Sequence, residues 1–86
     1  MQGVKVRRVM DYEKWLNEAI SKTGALPQGT IFLLKDLFDG VNWNILQNGE
    51  RREFGRQFKI KVNRNLVPNV KYQGKADNNS AKYIKL

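Results

Sequence analysis

The stretch RREFGRQFKIKVNR, from Arg51 to Arg64, sets six cations and one acid within fourteen residues. Cations at that density suit the holding of polyanions, since an arginine can fork onto guanine or phosphate and a lysine supplies a point charge for the chain of phosphates. Two periodicities compete over the segment. At about 180° per residue the tail FKIKV alternates apolar and basic, as a half-buried strand does. At about 100° per residue Phe54, Phe58 and Val62 fall on one side with Gly55, while Arg52, Arg56, Lys59 and Asn63 line up on another. Either way the charge faces solvent. The helical reading accounts for more of the segment, leaving Ile60 between the two sides and Arg51 and Lys61 projecting away from the main basic stripe.

Other chemistry is poorly supplied. The chain contains no histidine and no cysteine, so the usual general base at neutral pH, the thiol nucleophile and the commonest metal ligands are all missing. Asp36 and Asp39 are the nearest approach to a carboxylate pair, and with no further acid beside them they read as surface charge or helix caps. Lysine and tyrosine can do acid–base work, but no perturbing constellation of charges is visible for them. The expectation is a binding protein with no cofactor and no metal, and not an enzyme.

The charge is segregated. Met1 to Glu50 holds six Lys or Arg against six Asp or Glu, whereas Arg51 to Leu86 holds ten against two, so the whole net charge of +8 comes from the last 36 residues. An evenly spread excess would speak to solubility. A segregated one creates a directional potential that attracts polyanions, with nucleic acid first among them. At 86 residues the chain is expected to form one domain (1–86), with residues 1–9 as an N-terminal arm whose Arg7 and Arg8 could add backbone contacts. No apolar run approaches the roughly 18 residues of a membrane span, and MQGVKVRRVM lacks the apolar centre of a signal peptide. A soluble, cytoplasmic protein is expected, in which the sequon Asn78-Asn79-Ser80 is an accident of a polar loop.

The elements that position these cations can be read in order. DYEKWLNEAISKTG is a helix with Asp11 as N-cap and Tyr12, Trp15, Leu16, Ala19, Ile20 and Thr23 as its core stripe. ALPQG breaks it, and TIFLL is a short strand that needs later partners. LKDLFDG and NWNIL each offer one helical turn. QNGE supplies cap chemistry, with Asn48 or Gly49 before the first turn of the basic helix and Glu50 and Glu53 near its positive end. The helix runs to about Asn63 or Arg64, with Gly55 expected to admit a neighbouring helix. After Pro68, NVKYQG and AKYIKL form a hairpin around KADNNS, projecting Lys71, Lys75, Lys82 and Lys85, with Tyr72 and Tyr83 within cross-strand reach in one of its registers.

This order is α+β and follows the winged helix-turn-helix plan: three helices plus a small antiparallel sheet whose C-terminal β-hairpin is the wing. The residues LPQGTIFLLKDLF and VNWNILQNGERREFGRQF, followed by a basic hairpin, resemble a family of small proteins first catalogued as a domain of unknown function. Some of its members are encoded on staphylococcal cassette chromosome elements beside replication genes. The resemblance covers the chain from Leu26 onward, with DLF and GERREFGRQF its most specific parts. It implies a winged helix that binds single-stranded DNA in service of replication of a mobile genetic element.

Charge geometry, not the resemblance, supplies the candidate site: Arg52, Arg56, Lys59 and Asn63 on the helix, Arg64 at its end, and Lys71, Tyr72, Lys75, Lys82 and Tyr83 on the wing. On single strands the cations would track phosphates and the tyrosines would stack bases. On a duplex the helix stripe would enter the major groove while wing lysines held phosphates. A third expectation is an adaptor whose basic face docks an acidic replication protein, such as a polymerase or helicase subunit.

Overall fold

The computed structural model describes residues 11–77 and 80–86. The N-terminal arm with Arg7 and Arg8, and Asn78 and Asn79 of the sequon, lie outside them. Helix α1 (Tyr12–Thr23) begins where the Asp11 carboxylate accepts from Lys14 N, satisfying one of the amides that a helix start leaves without a partner. Strand β1 (Ile31–Leu33) leads into a 3-10 turn, Leu34–Leu37, and then α2 (Gly40–Asn44). Asp36 and Asp39 are caps: Asp36 accepts from Leu33 N at 2.9 Å and Asp39 from Asn42 N at 2.8 Å.

The basic segment is helical throughout, as α3 (Asn48–Asn63). Its N-cap is Gln47, not the expected Asn48 or Gly49, and Glu50 reaches back to accept from Gln47 N at 2.8 Å. Strands β2 (Val70–Lys75) and β3 (Ala81–Lys85) close the fold as an antiparallel hairpin. β3 is central in the three-stranded sheet, with β1 antiparallel on its other side, which provides the partner that the early strand required. The expected α+β class, with three helices among the described residues and a C-terminal hairpin, is the observed one.

One stripe of α3 holds the two halves together. Phe54 and Phe58, one turn apart, are both fully buried. Phe54 packs with Trp15, Phe38 and Trp43 at ring separations of 5.8, 5.8 and 6.2 Å. Phe58 meets Tyr83 edge-on at 5.0 Å, and Tyr83 in turn contacts Phe32 and Tyr72, both at 5.8 Å. The first cluster joins α3 to α1 and α2, and the second joins it to the sheet. Truncating either phenylalanine to alanine would remove about 3–5 kcal/mol, a large part of the stability of a small domain.

Lys85 departs from its expected exposure on the wing. It lies two residues beyond Tyr83 on the same inward face of β3, where its ammonium donates to the Thr23 carbonyl at 2.7 Å. There it compensates the negative C-terminal end of α1.

Candidate nucleic-acid interface

The buried stripe of α3 leaves the adjoining side, with Arg52, Gly55, Arg56 and Lys59, turned toward the hairpin. Between them lies a groove of about 630 Å³, bounded also by Leu33, Leu34 and Lys35 of the strand-to-turn segment. Its floor is apolar and aromatic, with Trp43, Tyr72, Ala81 and Tyr83, and its rim carries Lys35, Arg51, Arg52, Arg56, Lys59 and Lys75. A rim of cations over an aromatic floor can hold phosphates at the edge and flat rings below.

The hairpin supplies its share through an irregularity. Tyr72 pairs with Tyr83 and Lys75 with Ala81, so three residues of β2 span what two residues of β3 span. The extra residue is a bulge, and Gly74 sits within it at φ +97, a conformation that glycine adopts without the clash a side chain would meet. Strict alternation would have put Lys75 on the same face as Lys71. The bulge instead brings it to the face of Tyr72, Ala81 and Tyr83, on the rim of the groove.

Lys71 and Lys82 do not reach it. Lys71 pairs with Ile84 and Lys82 with Leu33, positions that alternate with the inward Tyr72 and Tyr83, so both lysines leave from the opposite face of the sheet. Asn63 and Arg64 are exposed at the C-terminal end of α3, and neither lines the groove. The single basic surface expected from the sequence is therefore divided. Arg52, Arg56, Lys59, Tyr72, Lys75 and Tyr83 come together, whereas Asn63, Arg64, Lys71 and Lys82 stand apart.

Tyr83 was expected to stack bases and cannot. It is 1% exposed, held on three sides by Phe32, Phe58 and Tyr72, and burial pushes its phenol well above the usual range, with Tyr72 adding to the shift. Tyr72 is half-buried, and the Lys59 ammonium lies 4.3 Å from its ring centroid, a cation–π contact across the groove. Arg56 is committed within its own helix: its Nε and Nη2 donate to the Glu53 carboxylate at 3.0 and 2.7 Å. Those bonds, with a further one from Gln57, lower the Glu53 pKa to about 2.

Arg51 has another task, donating to the carbonyls of Trp43 and Asn44 at 3.4 and 3.3 Å and to Asn48 at 3.3 Å. It closes the C-terminal end of α2 against α3. Gly55 admits no neighbouring helix, because a Cβ built there would meet nothing within 4 Å. Sequence reasoning missed Lys35 and Trp43 as groove residues. Lys35 lies in the charge-balanced half of the chain, where nothing local distinguishes it from an ordinary surface lysine.

Fold and groove together define a small α+β domain with a cation-rimmed cleft between its longest helix and its hairpin. The chain belongs to the family described as Domain of unknown function (DUF1413), whose pattern matches residues 17–85 and so takes in most of α1 as well as the segment from Leu26 onward. A solved structure described as "SCCmec type IV LP1413 - nucleic acids binding protein" has the same fold, with a TM-score of 0.65 at 24% identity over 95% of this chain and 94% of that one. No curated protein matches. Among the described residues no helix is long and apolar enough to cross a membrane.

Proposed function

We propose that the chain is a sequence-tolerant single-stranded DNA-binding protein, a winged helix that holds its strand between α3 and the wing and not by inserting α3 into a duplex. The observation that carries this reading is the placement of Tyr72 on the groove floor under Lys59, at 4.3 Å. An exposed cation–π contact contributes about 0.5–1 kcal/mol, whereas a base stacked on an aromatic ring contributes about 1–3 kcal/mol. An unpaired base therefore displaces the ammonium from the ring, and Lys59 is released to a neighbouring phosphate. A paired base offers no free face for that exchange. The fold shared with a nucleic-acid-binding protein of a cassette element supports the reading, as does the concentration of charge in the last 36 residues.

Duplex binding is the second reading, favoured by the exposure of Arg52 and Asn63 along α3. Against it, the Arg56 fork that would read guanine is already held by Glu53. The role we infer is binding, not catalysis, in the cytoplasm, serving replication of a mobile element alongside its polymerase or helicase. Titration of labelled single strands and duplexes of equal length, at one fixed salt concentration, tests the central claim. Tighter binding of the single strand is expected, and a clear preference for the duplex would remove it.

A further inference from the structure

Two residues of the groove weaken the free fold without any packing reason. The Tyr83 hydroxyl is a buried side-chain donor with no hydrogen-bond partner among the described residues. Thr23, the other buried polar side chain, is satisfied, its hydroxyl donating to the Ile20 carbonyl at 2.6 Å. Phenylalanine at position 83 would fill nearly the same volume without stranding a donor, and stranded donors are rare in folded proteins because they lose their water without replacement. Gly55 is the second case. Glycine is among the poorest residues for a helix interior, and space is open where its Cβ would be. Both residues line the same groove, and local rules broken together at one place mark a functional surface.

We propose that the Tyr83 hydroxyl is a hydrogen-bond donor kept for an unpaired base, which lies across Gly55 and accepts through a ring nitrogen or carbonyl oxygen. This rests on the single-strand reading of the groove and says which part of the nucleotide reaches the floor. The cations at the rim take the phosphates, leaving the aromatic floor to the base. Every DNA base carries acceptor atoms, so one donor at the floor adds affinity without selecting a sequence. Burial keeps the phenol protonated at neutral pH, so the group is a donor there. Tyr72 packs on Tyr83 at 5.8 Å and carries the Lys59 ammonium over its ring at 4.3 Å. Rotation of those two side chains opens the hydroxyl, a scale of adjustment common at interfaces.

The test compares Tyr83→Phe and Gly55→Ala with the parent protein, by thermal unfolding and by titration against an intact single strand and an abasic strand of the same length. Each variant is expected to unfold at or above the parent temperature, to bind the intact strand about tenfold more weakly, and to bind the abasic strand as the parent does. Parent-like binding of the intact strand by Tyr83→Phe would overturn the proposal, as would a fall of several degrees in its unfolding temperature, which would assign the hydroxyl a structural partner. Equal losses on intact and abasic strands would place the hydroxyl on the phosphate chain and overturn it too. Unchanged affinity in Gly55→Ala would eliminate the approach across α3. The parent's own preference between strand and duplex, read in the same titration, tests the underlying reading separately.

Discussion

The two faces of the C-terminal hairpin start from similar material and end differently. One presents Tyr72 and Lys75, with Ala81 and Tyr83 behind them, to the cations of α3. The other presents Lys71 and Lys82 among Ile31, Leu33 and Ile84, away from α3. Each face carries two lysines when the inward Lys85 is counted with the first, so charge alone does not distinguish them. What does is the surface opposite: on one side a helix wall completes a cleft, and on the other the lysines look onto solvent. Cations that converge on one cleft can neutralise successive phosphates of one strand, while scattered cations contribute only to the long-range field.

The contrast is broken most directly by removing charge from one face at a time. Arg52→Ala with Lys75→Ala should produce the largest loss of single-strand affinity and reduce the salt dependence, the slope of log K against log[salt], by about 1.4, near 0.7 for each phosphate no longer neutralised. Lys71→Ala with Lys82→Ala should change the slope by less than half of that. Equal slopes for the two double variants would show that the strand does not distinguish the faces.

Next in size is Tyr72→Ala, expected to cost about 1–3 kcal/mol of binding through loss of a stacked base, with Tyr72→Trp restoring it. The outer position Gln73→Ala should leave affinity unchanged, which sharpens the comparison along a single strand. Gly74→Ala acts on the device that assigns Lys75 to its face. Alanine at φ +97 is strained by about 1–2 kcal/mol, so the unfolding temperature should fall by several degrees. Either the strain stays or the bulge is lost and Lys75 turns outward, and in the second case the salt slope falls as for Lys75→Ala.

The smallest effect is expected from Glu53→Gln. The carboxyl pKa is lowered from 4.5 to about 2, so the stability it contributes is present above pH 4.5 and lost as pH falls through about 2. The variant should be slightly less stable than the parent at neutral pH and converge with it near pH 2, because exposed ion pairs are weak. It should also bind single strands slightly more tightly, since Arg56 on the rim is released from the Glu53 carboxylate.

Much of this was legible beforehand because it depends on local periodicity. The buried stripe Phe54, Phe58 and Val62 and the basic stripe beside it follow from a 3.6-residue repeat, and the cross-strand meeting of Tyr72 with Tyr83 is one of the registers that the hairpin pattern allows. Gln47 took the cap in place of Asn48 or Gly49 because Glu50 is three residues beyond it, the spacing from which a carboxylate reaches back to the cap amide. Gly55 misled for a different reason. A glycine within a helix suggests close packing, and only the position of the hairpin shows that the space above it is open.

The sequence by itself determined the order of elements, the confinement of net charge to the last 36 residues and the absence of histidine and cysteine chemistry, because composition and repeat length are properties of the chain. Tertiary structure alone decided which cations share a cleft, since Lys75 reaches the groove through a one-residue bulge and Lys35 through the return of β1 against β3. It also decided that Tyr83 lies beneath the surface and Tyr72 upon it. Two tyrosines paired across a hairpin are equivalent in any sequence pattern, and what separates a buried donor from a half-exposed ring is that Tyr83 lies on the central strand, covered by Phe32 of β1 as well as by Phe58, whereas Tyr72 lies on the edge strand.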